Sequence, residues 1–370
     1  MHALEGVRVL DLTHHVAGPY ATKLLADYGA DVVKVERPGT GDATRHMGPF
    51  AGDDPHPEKS GRFLHLNTNK QSVTVNLKAP RGRELLLQLA AQADVLVESF
   101  APRVMPALGL DYDTLRQANP RLVVASVSNF GQTGPYRDYR MSEITMYAMG
   151  GTMHGTGLPE REPLKLALTV EQIYAGNVIA AAVMGAYLGA LRDGEGQHLD
   201  LALFEIMVGN QDRGAQAHTI YKYNGNVPHR RGADSTRNIL PVGVYPTADG
   251  YVQLFAIQPQ VWDRVCRMID RPDMIDDPHY TDPKHFFGNA EIKQEVDAIL
   301  LEWLLQHTKR EVMEKAQDAG YFCGAINSME DVFNDPHLAA RGYFVEVAHP
   351  MAGAFRYPGA PFKMGGADWK

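Results

Sequence analysis

Cysteine is almost missing from this chain: 370 residues contain two, Cys266 and Cys323. That excludes a disulfide scaffold, gives no metal-ligand spacing and fits a reducing compartment. The 15 histidines do not make up for it, because His14-His15 is the only adjacent pair and no third ligand stands at a sensible spacing. No metal is expected. Positive charge is also short, with 36 Lys and Arg against 44 Asp and Glu and a formal net charge of −8. A nucleic-acid surface is therefore not expected, although a few local cations can still grip an anionic ligand. The amino terminus lacks a basic segment followed by an apolar one, since Val7–Leu12 already reads as a strand, and no run is expected to cross a bilayer. A cytoplasmic protein with no membrane partner is the expectation. Repeats and low-complexity tracts are absent, and so is the triple-glycine dinucleotide fingerprint: the corner at Val16-Ala17-Gly18-Pro19 has one glycine and a proline, which makes a nicotinamide reading weak.

What is present is a βαβ rhythm. Val7–Leu12 reads as a strand, Ala21–Tyr28 as a helix after the Gly18-Pro19 turn, and Asp31–Glu36 as a second strand, a pattern of parallel sheets with helical crossovers. Residues 37–62 form a long Gly-, Pro-, Asp- and His-rich loop, more often functional than idle in a compact domain. Strands at Gln71–Leu77, Val95–Glu98 and Leu122–Val127 alternate with helices at Arg81–Gln92, Val104–Leu108 and Tyr112–Asn119. At least four parallel strands follow, in a doubly wound α/β domain. Phe130–Tyr136, with Gly131 and Gly134, is a loop suited either to close approach of a ligand or to a plain turn. Asn224–Asn238 reads as a linker or lid, and beyond it a hairpin signal at Thr247–Gly250 and helices at Val261–Ile269, Glu291–Leu305 and Lys309–Ala319 make a second, α+β domain.

The stretch 163–208 organises the rest. Tyr174–Leu191 is apolar nearly all round and rich in small residues, as in a helix buried among other elements. It opens with Glu171-Gln172, and a carboxylate at a helix amino end can be held ionised and aimed at a ligand, or can merely complement the dipole. Arg192–Gln197 breaks the helix, and His198–Leu203 alternates as a strand.

Taken in order, Val9-Leu10-Asp11-Leu12, Ala17-Gly18-Pro19, Leu25–Pro38, Gly41-Asp42 with Arg45, Asn69–Ser72, Val97–Phe100, Gly109–Tyr112, Asn119–Leu122, Phe130–Pro135, Gly194–Gln197 and Asp335–Gly342 form a specific series. In it the chain resembles the type III coenzyme A transferases, the group that includes formyl-CoA, carnitine and benzylsuccinate CoA transferases. The resemblance implies a discontinuous Rossmann-like large domain (1–220 and 329–370) with a smaller α+β domain (225–328), and an interlocked-ring dimer, as a homodimer or as a heterodimer with a paralogous subunit. Family members usually run on into a further carboxyl-terminal tail. The resemblance also implies acyl-CoA and a carboxylic acid as substrates. It places coenzyme A against Val16, Arg37, Val75, Lys78, Ser99, Phe100 and Arg140, and places Glu143 beside the reacting centre. Arg37, Lys78 and Arg140 would neutralise phosphates, while Val75 and Phe100 would hold adenine. Two positions depart from the pattern, Ser99 for the usual Asn and Ala107 for a phosphate-binding Arg.

A third departure is central. The family's nucleophile is an aspartate that forms an anhydride with the donor acyl group and then a thioester with CoA; its position here is Gln172. A carboxamide cannot serve as both nucleophile and leaving group. Three readings stand: Glu171 shifts into the role through a bulge; the chain is a catalytically silent subunit paired with an active paralogue; or it is an acyl-CoA racemase, or a lyase or hydrolase using Glu171 or Glu143 as base. The racemase is disfavoured, because its loop histidine is replaced by the Met141-Ser142-Glu143 segment and its acid by Gln172.

Overall fold

The computed structural model describes residues 2–210, 212–227, 229–230, 239–256 and 258–365. The chain divides into two compact units, one of residues 1–157, 162–230 and 340–370, the other of residues 158–161 and 231–339. Much of the polar stretch 224–238 lies outside the described residues.

In the first unit the chain runs β1 (Arg8–Leu12), α1 (Ala17–Asp27), β2 (Asp31–Glu36), α2 (Gly61–Leu66), β3 (Lys70–Thr74), α3 (Pro80–Ala90) and β4 (Val95–Glu98). It continues through α4 (Val104–Ala107), α5 (Tyr112–Ala118), β5 (Val123–Ser128), α6 (Glu143–Met149), α7 (Val170–Asp193), β6 (His198–Ala202), α8 (Leu203–Asn210) and α9 (Asp212–Asn224). The six strands form one sheet in the order β3-β2-β1-β4-β5-β6, parallel throughout, which is the Rossmann order. The interior strands are rich in Val and Leu because both faces are covered. Val9, Val95, Val97, Val123 and Val127 pack with Leu24 of α1 and Ile179 and Val183 of α7; Leu10, Leu96 and Val124 pack on the other face with Leu86, Met105 and Leu115. Two expected boundaries move. α1 starts at Ala17, because Pro19 in a first helical turn forfeits no hydrogen bond, and the edge strand β3 ends at Thr74.

α7 is the axis of this unit. By length and composition its 24 residues could cross a bilayer, contrary to the expectation that no run could. One face, with Ala175, Ile179, Val183, Ala186 and Ala190, is buried. The approach to α1 is close: a Cβ on Gly176 would lie 2.8 Å from Tyr20 Cδ1 and 2.9 Å from the Ala17 carbonyl oxygen. Glycine is what lets the start of α7 sit on the start of α1. The helix ends where Gly194 takes the left-handed conformation, φ 76°, a common stop signal.

The second unit holds an antiparallel sheet of β7 (Gly243–Pro246), β8 (Tyr251–Phe255) and β9 (Phe322–Ala325), packed through Val252, Leu254, Val296 and Leu300 onto helix Ala290–Leu304. The chain then returns to the first unit as a hairpin, β10 (Phe344–His349) and β11 (Gly353–Pro358). Beyond it Phe362 stacks on Tyr28 at 4.2 Å.

Candidate active site

In an open parallel sheet the ligand crevice forms at the carboxyl ends of the strands, where successive connections leave to opposite sides. Here β1 pairs with β2 on one side and β4 on the other, and a cavity of about 910 Å³ opens at that point. Its floor comes from the turn after β1. His14 donates its backbone N–H to Ser99 Oγ at 2.8 Å, and its ring lies 5.5 Å from Phe100. His15 adopts φ 67°, a costly conformation for a side-chain-bearing residue and one found preferentially at functional sites. Burial lowers the pKa of His14, which favours the neutral imidazole.

Beneath the floor lies a buried charge cluster. Asp11 lies 2.8 Å from Lys70 Nζ and 3.9 Å from Lys34 Nζ, and Lys34 reaches Asp42 at 3.1 Å. Against the opposing effect of burial, the two ammonium groups hold the Asp11 carboxyl far below the usual range. Glu36, at the end of β2, takes both arms of the Arg45 fork at 2.7 and 2.8 Å together with the Asp42 N–H. Burial raises its pKa, but these bonds prevail and bring it down to about 2. The long loop after β2 is thus tied to the sheet edge by charge-assisted bonds.

Glu98, at the end of β4, accepts the Phe100 N–H at 2.7 Å and is only 3 % exposed. Burial pushes its pKa up to about 7. An acid that holds its proton more tightly when folded makes stability fall as pH rises from about 4.5 to about 7, and level off above. Glu98→Gln keeps the acceptor without the charge. It should remove that slope and add about 2–3 kcal/mol at pH 8, read from urea unfolding at several pH values; an unchanged slope would contradict the assignment.

The roof comes from the segments after β5 and from the first turns of α6 and α7. Arg62, Arg103, Arg137 and Arg140 line the cavity. Arg103 pairs with Asp138 at 2.8 Å, whereas Arg137 Nε is buried without a hydrogen-bond partner among the described residues. A cavity with this cationic excess suits a polyanion.

Glu143 is the first residue of α6 and lines the cavity, its side chain 11 % exposed. Its Oε1 accepts the backbone N–H of Glu171 at 3.0 Å and lies 3.6 Å from Lys165 Nζ. Lys165 is itself fixed by the carbonyls of Leu166 and Leu168. Glu143 Oε2 has no hydrogen-bond partner among the described residues.

Of the residues singled out from sequence, Val16, Ser99, Phe100, Arg140, Glu143 and Gln172 come together on this cavity. Arg37 and Lys78 are exposed and Val75 packs against the core, all just past the ends of β2 and β3 on the same sheet edge but not on the cavity wall. Glu171 is also off the wall. Both Glu171 and Gln172 lie in the first turn of α7 rather than in a loop, and neighbouring helical residues point about 100° apart. Gln172 therefore faces the cavity while Glu171 is 3 % exposed. The bulge that would carry Glu171 into the aspartate's place is absent. The aromatic residues Phe130, Tyr136, Tyr147 and Tyr174, which as a group could suggest a bulky acyl pocket or plain core packing, are absent from the cavity wall; Phe130 packs with Tyr136, Tyr139 and Phe204. The structure adds His14, His15, Arg62 and Arg137, which no motif marks. The one signal for Arg137 is its place seven residues after Phe130, in the connection leaving β5 at the ligand-binding edge.

Residues 4–370 match the family model described as CoA-transferase family III. A succinate–glutarate CoA-transferase of Agrobacterium fabrum is 36 % identical over 93 % of this chain and 85 % of its own length. A formyl-CoA:oxalate CoA-transferase of Afipia carboxidovorans is 34 % identical over 98 % and 88 %. Among solved structures, a CAIB/BAIF family protein from Brucella suis matches with a TM-score of 0.85 and 31 % identity, covering all of this chain and 94 % of that one. The fold, the whole-length family match and these relatives agree, and the chain belongs to CoA-transferase family III, as an enzyme of that type.

Proposed function

We propose that this protein moves coenzyme A from an acyl-CoA donor to a dicarboxylic acid acceptor, through anhydride and thioester intermediates on a carboxylate of its own cavity. The observation that carries the reading is the cavity wall: Arg62, Arg137 and Arg140 with the carboxylate of Glu143 at the paired starts of α6 and α7. Arginine forks match both phosphate and carboxylate, and relatives are named for glutarate, succinate and oxalate. Val16, Ser99, Phe100 and Arg140 would hold the inner part of the CoA thioester, with Arg37, Val75 and Lys78 along the same edge for its nucleotide end.

The second reading, a silent subunit beside an active paralogue, is favoured by Gln172, a carboxamide at the cavity wall. Either way a second chain is part of the proposal, since Leu188 and Leu191 of α7 are exposed and suit a covering partner. The purified chain, incubated alone with succinyl-CoA and glutarate, should form glutaryl-CoA. If CoA binds but turnover needs a second polypeptide, the silent-subunit reading takes over. Arg137→Gln should raise the KM for donor or acceptor about tenfold to a hundredfold, the weight of one charge-assisted bond, with kcat little changed; unchanged KM for both would remove Arg137 from the substrate.

A further inference from the structure

We infer that Glu143, and not a residue at the family's aspartate position, is the carboxylate that carries first the acyl group and then CoA. This rests on the transferase reading above. Two carboxylates line the cavity, Asp138 and Glu143, and Asp138 is half exposed and tied to Arg103. Glu143 is held differently, by one oxygen only. Oε1 is fixed by the Glu171 N–H at the amino end of a 24-residue helix and by Lys165, while Oε2 has no hydrogen bond among the described residues. A buried carboxylate oxygen left so is costly and is where a new bond can form. The terminal torsion of a glutamate is soft, so a small rotation brings Oε2 to a ligand without displacing α6.

The chemistry then balances. Oε2 attacks the donor thioester carbonyl; the C–S bond breaks, CoA leaves as thiolate, and Glu143 becomes an acyl anhydride whose carbonyl oxygen is Oε1. The thiolate returns to Glu143 Cδ, the donor acid leaves as carboxylate, and a glutamyl thioester remains. The acceptor carboxylate attacks that same carbon, expelling the thiolate and forming a second anhydride, and the thiolate takes the acceptor acyl group to regenerate the Glu143 carboxylate. In every attack on Cδ the negative charge develops on Oε1, where the Glu171 N–H, the helix dipole and Lys165 are already in place. The donors that anchor the resting carboxylate thus form the oxyanion hole of its own thioester. This also gives Glu171 a part, through its backbone rather than its carboxylate.

The test is to quench the native protein with hydroxylamine or borohydride during incubation with succinyl-CoA, and map the peptides. Modification of Glu143, as hydroxamate or alcohol, is the expected result. Modification of Glu171 or of any other residue, or steady turnover with no modified residue, would overturn the assignment and leave the transferase reading standing. No turnover and no adduct would overturn both. Glu143→Gln, which keeps an oxygen acceptor for the Glu171 N–H, should fold with an unchanged melting temperature and lose at least about a thousandfold in kcat. Lys165→Met should lower kcat about tenfold to a hundredfold while leaving the KM for succinyl-CoA within about twofold, a split that loss of packing alone would not give.

Discussion

Gln172→Asp, introduced into the inactive Glu143→Gln protein, is expected to restore turnover to within about tenfold of the unaltered enzyme. The first turn of α7 points residue 172 at the cavity wall, and the substitution puts back the shorter acid that the family carries there. A carboxylate at 172 would take the place the resemblance gives to the family's aspartate, whereas the carboxylate proposed to react in the present chain, Glu143, starts α6. Hydroxylamine should now modify the double variant at the new carboxylate of position 172 and nowhere else. If the variant stays inactive while binding succinyl-CoA normally, the departure at 172 is not the reason for a relocated nucleophile, and the silent-subunit reading gains.

The second large effect is on folding. Lys70→Met should destabilise the protein by about 3–5 kcal/mol, read as the shift of the urea midpoint by circular dichroism. Both partners are sealed from water, Asp11 at 0 % and the Lys70 side chain at 1 % exposure, and the ammonium also lies within 2.8–2.9 Å of the Pro19 carbonyl, Thr22 and Asn67. Removing it leaves Asp11 with the hydrogen bonds of Thr13 and Thr22 and only the more distant Lys34 as counter-charge, and the cost of a buried charge with too little compensation exceeds that of removing the pair. Asp11→Asn in the same chain should therefore recover more than half of the loss. Because the carboxyl of Asp11 is held low in the folded state, it contributes stability above its ordinary value of 3.8 that fades as pH falls below it. Without Lys70 part of that contribution is already gone, Lys34 and Thr13 keeping the rest, so the penalty of Lys70→Met should be full at neutral pH and shrink on acidification. Additive losses for the two changes would contradict the coupling.

Much of this architecture is legible in the residues, and the failures have physical causes. The alternation of short Val-rich runs with helical periods points to the parallel sheet, because strands buried on both faces leave no other pattern. His198–Leu203 reads as a strand, but its place at the far edge beside β5 is a long-range pairing with no local mark. The start of α1 is ambiguous because Gly18-Pro19 suits a first helical turn as well as it suits a loop. The site is half legible. Ser99 and Phe100 sit in a motif and Arg140 follows closely on another, and their convergence follows from the rule that parallel sheets bind at their carboxyl edge. Glu171 misleads because its charge is visible in the sequence, whereas which of two adjacent residues faces inward depends on where the helix begins, and one position changes the answer by about 100°. Glu143 reads only as a neighbour of the reacting centre. That one of its oxygens is anchored and the other has no hydrogen bond among the described residues is a property of two helix starts meeting, and no spacing in the sequence carries it.

The most direct measurement follows one oxygen atom. If the acceptor acid attacks a thioester on Glu143, the bridging oxygen of the resulting anhydride comes from the acceptor, and it stays on the enzyme when CoA takes the acyl group. Turnover of succinyl-CoA with glutarate labelled in both carboxylates with oxygen-18 should therefore leave label in the peptide containing Glu143, at its carboxylate and at no other residue. Complete turnover with no oxygen-18 in that peptide, or with label in the peptide containing Glu171, would contradict the account.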